Sequence, residues 1–196
     1  MAFMQSNTND GEDFKVYVKY NAKAGRWYTK EDKPEAEEFE VQDMTAVFDF
    51  ANLKTGWFLF APGVAPVKQL NPALGAFTPA PSPDFKRGFQ INVFSNKNLL
   101  GVREFASTAG AVIDAMNALH DEYEAATESR AGQLPVVKCV NVKPLVGKHG
   151  TNYAPVFKIM SWIDRPAELV EDEPNASNGT APLQPAHADL DDDVPF

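Results

Sequence analysis

Aromatic side chains interleave with lysines and arginines in several segments of this 196-residue chain. That pattern supplies flat faces on which nucleobases stack and cations that follow phosphates. Lys15, Tyr17 and Lys19 recur with period two, Arg26, Trp27 and Tyr28 follow them, and Lys86 and Arg87 precede Phe89 and Phe94. Lys148, His149, Tyr153, Lys158 and Trp162 flank the last apolar stretch. Tyr17, Trp27, Tyr28 and Tyr153 are the stacking candidates, and Tyr17 leads them because it lies between two lysines on the polar side of its stretch. Aromatics also fill cores, a role at least as well suited to Phe89, Phe94, Phe157 and Trp162. An isolated lysine equally suits a solvated strand edge. The expected nucleic-acid contacts are therefore Lys15, Tyr17, Lys19, Arg26, Trp27, Tyr28, Lys86, Arg87, Lys148, Tyr153 and Lys158.

Other chemistries find less support. The segment GKHGT invites comparison with a phosphate loop, but a glycine is required five residues before Gly147, where Val142 stands. His120, His149 and His187 are far apart and Cys139 is the single cysteine, so no metal-ligand spacing and no internal disulfide is expected. Cys139 itself, between valines in an apolar run, reads as a small buried strand residue. No Ser/His/Asp set or convergent carboxylates stand out, so the chain reads as a binder without cofactor rather than an enzyme.

A net charge of −9 argues against a nucleic-acid ligand only until it is located. Residues 167–196 hold eight acids and no Lys or Arg, which leaves 18 basic against 19 acidic residues in the rest. The body is thus nearly neutral, and it is polarised: residues 31–49 carry eight acids and one lysine, whereas cations collect elsewhere. Those clusters are Lys15 to Lys30, then Lys86, Arg87, Lys97 and Arg103, then Lys138, Lys143, Lys148, Lys158 and Arg165. Brought together in space they would make a positive groove.

The elements that must position these residues are mostly strands. FKVYVKY alternates with period two, an extended region runs from Glu38 to Phe50, and WFLF continues it after a turn at Lys54-Thr55-Gly56. Six prolines between Pro62 and Pro83 forbid helix interior or central strand there and imply a long loop. DFKRGFQINVF is a strand ending in the turn-like SNKN, with Gly88 marking a bulge or a close approach. After Ser107 and Thr108, potential caps, Val112, Met116, Leu119 and Tyr123 recur at helical spacing, and Gly132 and Pro135 close the helix. LPVVKCVNVKPLVG and YAPVFKIMSWI read as two strands joined at GKHGTN. Strands, one helix, then two strands is the order of an OB-fold, a five-stranded Greek-key barrel with a helix between strands 3 and 4. A small β-sandwich with a crossover helix would give a similar string.

The final residues, DLDDDVPF, resemble the acidic tip of bacterial-type single-stranded DNA-binding proteins. In that family an OB-fold holds the DNA and the tip docks into basic, apolar-floored pockets on replication, recombination and repair proteins. The residue chemistry suits the role: Phe196 offers an aromatic anchor and an α-carboxylate, Asp191, Asp192 and Asp193 steer toward positive surfaces, and Pro195, after the small apolar Val194, limits the conformations lost on docking. The long proline-rich excursion and a tether without a Gly/Gln-rich stretch depart from the ordinary bacterial member and its tetramer. The pattern is more similar to divergent phage members of the family.

The resemblance implies sequence-independent binding and protection of single-stranded DNA, with partner proteins recruited by the tip and self-association as an option. The expected organisation is a flexible 1–12, an OB-fold DNA-binding domain over 13–166, and a disordered acidic tail over 167–196, where hydrophobic periodicity ends. The start MAFMQSNTNDGED has no basic and apolar leader and no long apolar run follows, so a cytoplasmic protein, in the host if phage-encoded, is expected. Rival readings are an RNA-binding cold-shock-like module and a protein-binding adaptor with a DNA-mimicking tail.

Overall fold

A computed structural model describes residues 16–33, 35–61, 66–148 and 150–170. Among these the chain is mainly β, with ten strands in one mixed sheet and two α-helices. The strands are β1 (Tyr17–Asn21), β2 (Arg26–Lys30), β3 (Glu38–Val41), β4 (Thr45–Phe48), β5 (Lys54–Leu59), β6 (Val67–Leu70), β7 (Lys86–Ser95), β8 (Gly101–Ser107), β9 (Gln133–Gly147) and β10 (Gly150–Asp164). The helices are α1 (Asn96–Leu99) and α2 (Gly110–Ala126). Along the sheet the order is β10-β9-β4-β7-β8-β1-β2-β3, with β5 also paired to β7 and β6 to β5. Only the β1 and β8 pairing is parallel among the described strands. No helix among the described residues is long and apolar enough to cross a membrane.

Period-two alternation explains which side each strand buries. Val18 and Trp27 face inward with Ala46 and Phe48 of β4, Phe89, Ile91 and Val93 of β7, Phe105 of β8 and Val137 of β9. Val112, Met116 and Leu119, one stripe of α2, cover this core, as their helical spacing requires. Rings do much of the filling: Trp27 lies 5.0 Å from Phe105 edge-on and 5.9 Å from Phe157, and Phe48 lies 5.8 Å from Phe157.

One end of the sheet, β10, reaches the β1–β2 turn beside these rings. The Tyr153 amide of β10 donates to the Ala22 carbonyl in the β1–β2 turn at 2.7 Å, and the Tyr20 hydroxyl donates to the Tyr153 carbonyl at 3.1 Å. Gly25 is needed at this junction twice over. Its φ is +67°, and a Cβ there would stand 3.1 Å from the Tyr153 ring.

Several expectations need correction. Ten strands replace five, and α2 lies between the eighth and ninth. Lys54-Thr55-Gly56, expected as a turn, opens β5, and the reversal is made by a 3-10 turn at Phe50–Asn52. The proline-rich segment holds an edge strand, β6, which Pro66 precedes without interrupting, since a strand start tolerates a missing donor. SNKN is a short helix, with the Ser95 side chain accepting from the Asn98 amide. Ser107 caps less directly than expected: its hydroxyl accepts from Ala109, which is itself the N-cap. Gly88 does mark a close approach, a Cβ there standing 2.5 Å from the Ser107 carbonyl.

Packing also continues beyond residue 166. Ala167–Leu169 forms a 3-10 turn whose Leu169 is buried with Val47 and Leu134, so these residues, read from sequence as the start of the tail, are part of the folded body. Arg165 fastens the segment, donating to both oxygens of the fully buried Asp49 at 2.6 and 2.8 Å and to the Leu169 carbonyl at 3.1 Å.

Candidate nucleic-acid interface

The outward side of β1, β2 and β3 follows from strand register. Lys19 stands opposite Tyr28, which stands opposite Glu40, and Lys30 stands opposite Glu38. Tyr17, Lys19, Arg26 and Tyr28 thus share one face, as the period-two reading requires, but β3 places two carboxylates on it as well. Lys19 donates to both Glu38 oxygens at 2.5 Å, the Tyr17 hydroxyl donates to Glu38 at 2.6 Å, and Arg26 donates to Glu40 at 2.8 Å. Lys30 lies 5.8 Å from the Tyr17 ring and Lys19 lies 5.9 Å from that of Tyr28. The acids of residues 31–49, expected apart from the cations, therefore partly neutralise them.

Protonation follows this pairing. Partial burial and then the Glu38 contact push Tyr17 from 10.0 up to about 12. Burial acts to raise Glu38, but the hydrogen bonds from Lys19 and Tyr17 outweigh it and hold the carboxyl below its ordinary value. The pairs are solvent-exposed, which makes each of them weak.

Trp27 does not join this face. It is 4% exposed, its neighbours being Tyr20, Phe105 and Phe157, so no base can stack on it in this fold. Its inward position is a direct consequence of alternation: Tyr20 is its cross-strand partner, and both lie on the core side. Arg103, counted among the cations of the body, is also buried. It donates to Thr29 Oγ1 and to the carbonyls of Val102 and Lys30, and burial pulls its pKa below that of a free guanidinium while Asp32 pulls the other way.

The hairpin of β9 and β10 has a different character. Residues 133–163 contain Lys138, Lys143, Lys148 and Lys158 and no Asp or Glu. Their pairing runs from Gln133 opposite Asp164 to Gly147 opposite Gly150, with two register shifts. The distal stretch from Asn141 to Gly147 extends for roughly 20 Å at the rise of an antiparallel strand. Lys143, Lys148 and Lys158 are exposed and make no ion pair among the described residues, whereas Lys138 lies 3.2 Å from Asp43. Apolar side chains accompany them: Val146 is 85% exposed, and Leu145, Val156 and Met160 are open as well. Tyr153 is partly covered, packed beneath the Gly25 turn, which joins the distal half of this hairpin to the β1–β2 unit.

Lys86 and Arg87 lie elsewhere, at the start of β7 where it pairs with β5. The Arg87 guanidinium is 5.6 Å from the Trp57 ring and 4.9 Å from that of Phe77. Neither cation makes an ion pair among the described residues.

Lys15, His149 and the whole expected partner-binding tip, Asp191, Asp192, Asp193, Val194, Pro195 and Phe196, lie outside the described residues. Sequence reasoning passed over Trp57 and Phe77, and counted Lys143 among the groove cations without naming it as a contact. Lys143 was visible as a lysine in an acid-free run, whereas Trp57 has only Lys54 nearby and Phe77 no local basic residue, and the β5–β7 register brings Arg87 opposite Trp57. His120, Asp121 and Glu124 bring their ligand atoms within 4.8 Å of one another on α2, although the cluster is largely exposed and the His120 ring packs 5.6 Å from Phe50. Cys139 lies in strand β9 as expected but is only partly buried against the core, and burial raises its thiol pKa. Compared with protein-family models, curated proteins and solved structures, the chain matches none.

Proposed function

We propose that this chain binds single-stranded DNA without sequence preference and protects it during replication, recombination or repair. The observation that carries the reading is charge segregation: in a protein of net charge −9, residues 133–163 hold four lysines and no acid, and three of those lysines are exposed and free of ion pairs among the described residues. A two-stranded arm of that kind is suited to following a phosphate backbone, with the adjoining apolar side chains available to bases. We read the curled sheet as an OB-type barrel enlarged by additional strands, supported by the approach of β10 to the β1–β2 turn and by α2 covering the core. The tip resemblance supports the second half of the proposal, recruitment of replication or repair proteins through Asp191, Asp192, Asp193, Val194, Pro195 and Phe196.

Titration of the full chain against fluorescein-labelled oligo(dT), an RNA strand of equal length and a DNA duplex, each at several salt concentrations, tests it. Preferential, salt-sensitive binding of oligo(dT) is expected. Equal or tighter binding of RNA would favour the cold-shock-like reading, and no binding of any strand would leave the adaptor reading.

A further inference from the structure

Phe77 is 74% exposed, the largest value among the exposed phenylalanines of the described residues, and it belongs to the proline-rich excursion between β6 and β7. A ring this open contributes little to the core, yet the backbone on both sides of it is firmly held. Asn71 Nδ2 donates to the Ala76 carbonyl and to Thr55 Oγ1, each at 3.0 Å. Thr78 Oγ1 donates to Asn71 Oδ1 at 2.7 Å, and the Trp57 indole N–H donates to the Thr78 carbonyl at 2.8 Å. Residues 76 and 78 are thereby tied to β5 while the ring between them faces solvent. Arg87 lies against that ring at 4.9 Å, covering one part of it and leaving the rest open.

A fixed, exposed aromatic ring backed by a guanidinium matches what a nucleobase needs for stacking: a flat partner already ordered before binding, next to a cation. We propose that Phe77, positioned by Asn71 and Trp57 and backed by Arg87, is a stacking platform for a base of bound single-stranded DNA. The inference rests on the single-strand reading above and assigns to the excursion a binding role of its own.

The test compares the full-length wild type with Phe77→Ala and Phe77→Trp on labelled oligo(dT) and on an abasic strand of the same length. Phe77→Ala should lose affinity for oligo(dT) on the order of tenfold. Its affinity for the abasic strand, its salt slope and its urea midpoint should match wild type, because an exposed ring is removed and no cation is lost. Phe77→Trp should bind oligo(dT) as wild type does, and its added tryptophan emission should be quenched on saturation. Wild-type binding with an unaltered Phe77→Ala affinity for oligo(dT), or equal losses on both strands, would overturn the platform alone. Failure of the wild type to bind oligo(dT) would overturn the single-strand reading and this inference together.

Discussion

Asp49 is the residue on which the C-terminal end of the folded body depends. Its carboxylate has no solvent exposure, and its charge is met by Arg165 through two hydrogen bonds and by the Asn52 side chain at 2.9 Å. Removing one member of a buried pair leaves the other unsolvated, which costs more than the pair itself contributes. Arg165→Ala is therefore expected to destabilise the protein by about 3 kcal/mol, read as a lowered urea midpoint. A midpoint unchanged from wild type would mean that the pair with Arg165 does not hold this end of the body. On the hairpin the expectation is the opposite: Lys143 is exposed and unpaired, so Lys143→Ala should leave stability alone. In oligo(dT) titrations it should lower the slope of log K against log salt by roughly 0.7, the value for one lost single-strand phosphate contact. An unaltered slope would remove Lys143 from the backbone contacts.

Among the elements, the β9–β10 hairpin carries three exposed lysines with no ion pair among the described residues, and its attachment to the rest of the sheet is narrow on the β10 side. Tyr153 reaches Ala22 through its amide and Gly25 through its ring, which makes the β1–β2 turn the brace for the arm. Gly25→Ala meets two obstacles there, a left-handed backbone costing about 1–2 kcal/mol for a residue with a Cβ and a ring only 3.1 Å from where that Cβ would stand. We expect a matching loss of stability together with faster hydrogen exchange of the Tyr153 amide, whose partner is the carbonyl of Ala22. Stability lost with unchanged exchange at Tyr153 would show that the turn, and not the brace, bears the strain. The β3 strand acts against binding in this scheme, since Glu38 and Glu40 occupy the face of Tyr17 and Lys19.

For the molecule as a whole, the proposed binding of single-stranded DNA by a protein of net −9 turns on where its charge lies. Residues 171–196 carry seven acids and no Lys or Arg. On the proposed reading, their tethered negative charge would compete with DNA phosphates for the lysines at a high effective concentration. Ending the chain after Val170, which keeps the buried Leu169, should tighten oligo(dT) binding at low salt, with the advantage shrinking as salt is raised. Equal affinity of the two chains at low salt would separate the acidic segment from the DNA site.

The amino-acid sequence by itself determined those features that are local in the chain. Helical spacing of Val112, Met116 and Leu119 placed α2 and its buried stripe, alternation placed β1, apolar and valine-rich runs placed β7, β9 and β10, and the prolines kept the excursion out of the sheet centre. The lysines of an acid-free run were countable without any structure. Tertiary structure decided what depends on register and on partners far away in the chain. It turned Trp27 inward onto Phe105 and Phe157, buried Arg103 beneath β2, and brought Glu38 onto the lysine face. It also drew Leu169 into the core and set Arg87 between Trp57 and Phe77. The physical reason is common to all of these: side-chain alternation says that a strand has two faces, but which face is buried, and what lies across from it, is settled only when strands distant in sequence pair.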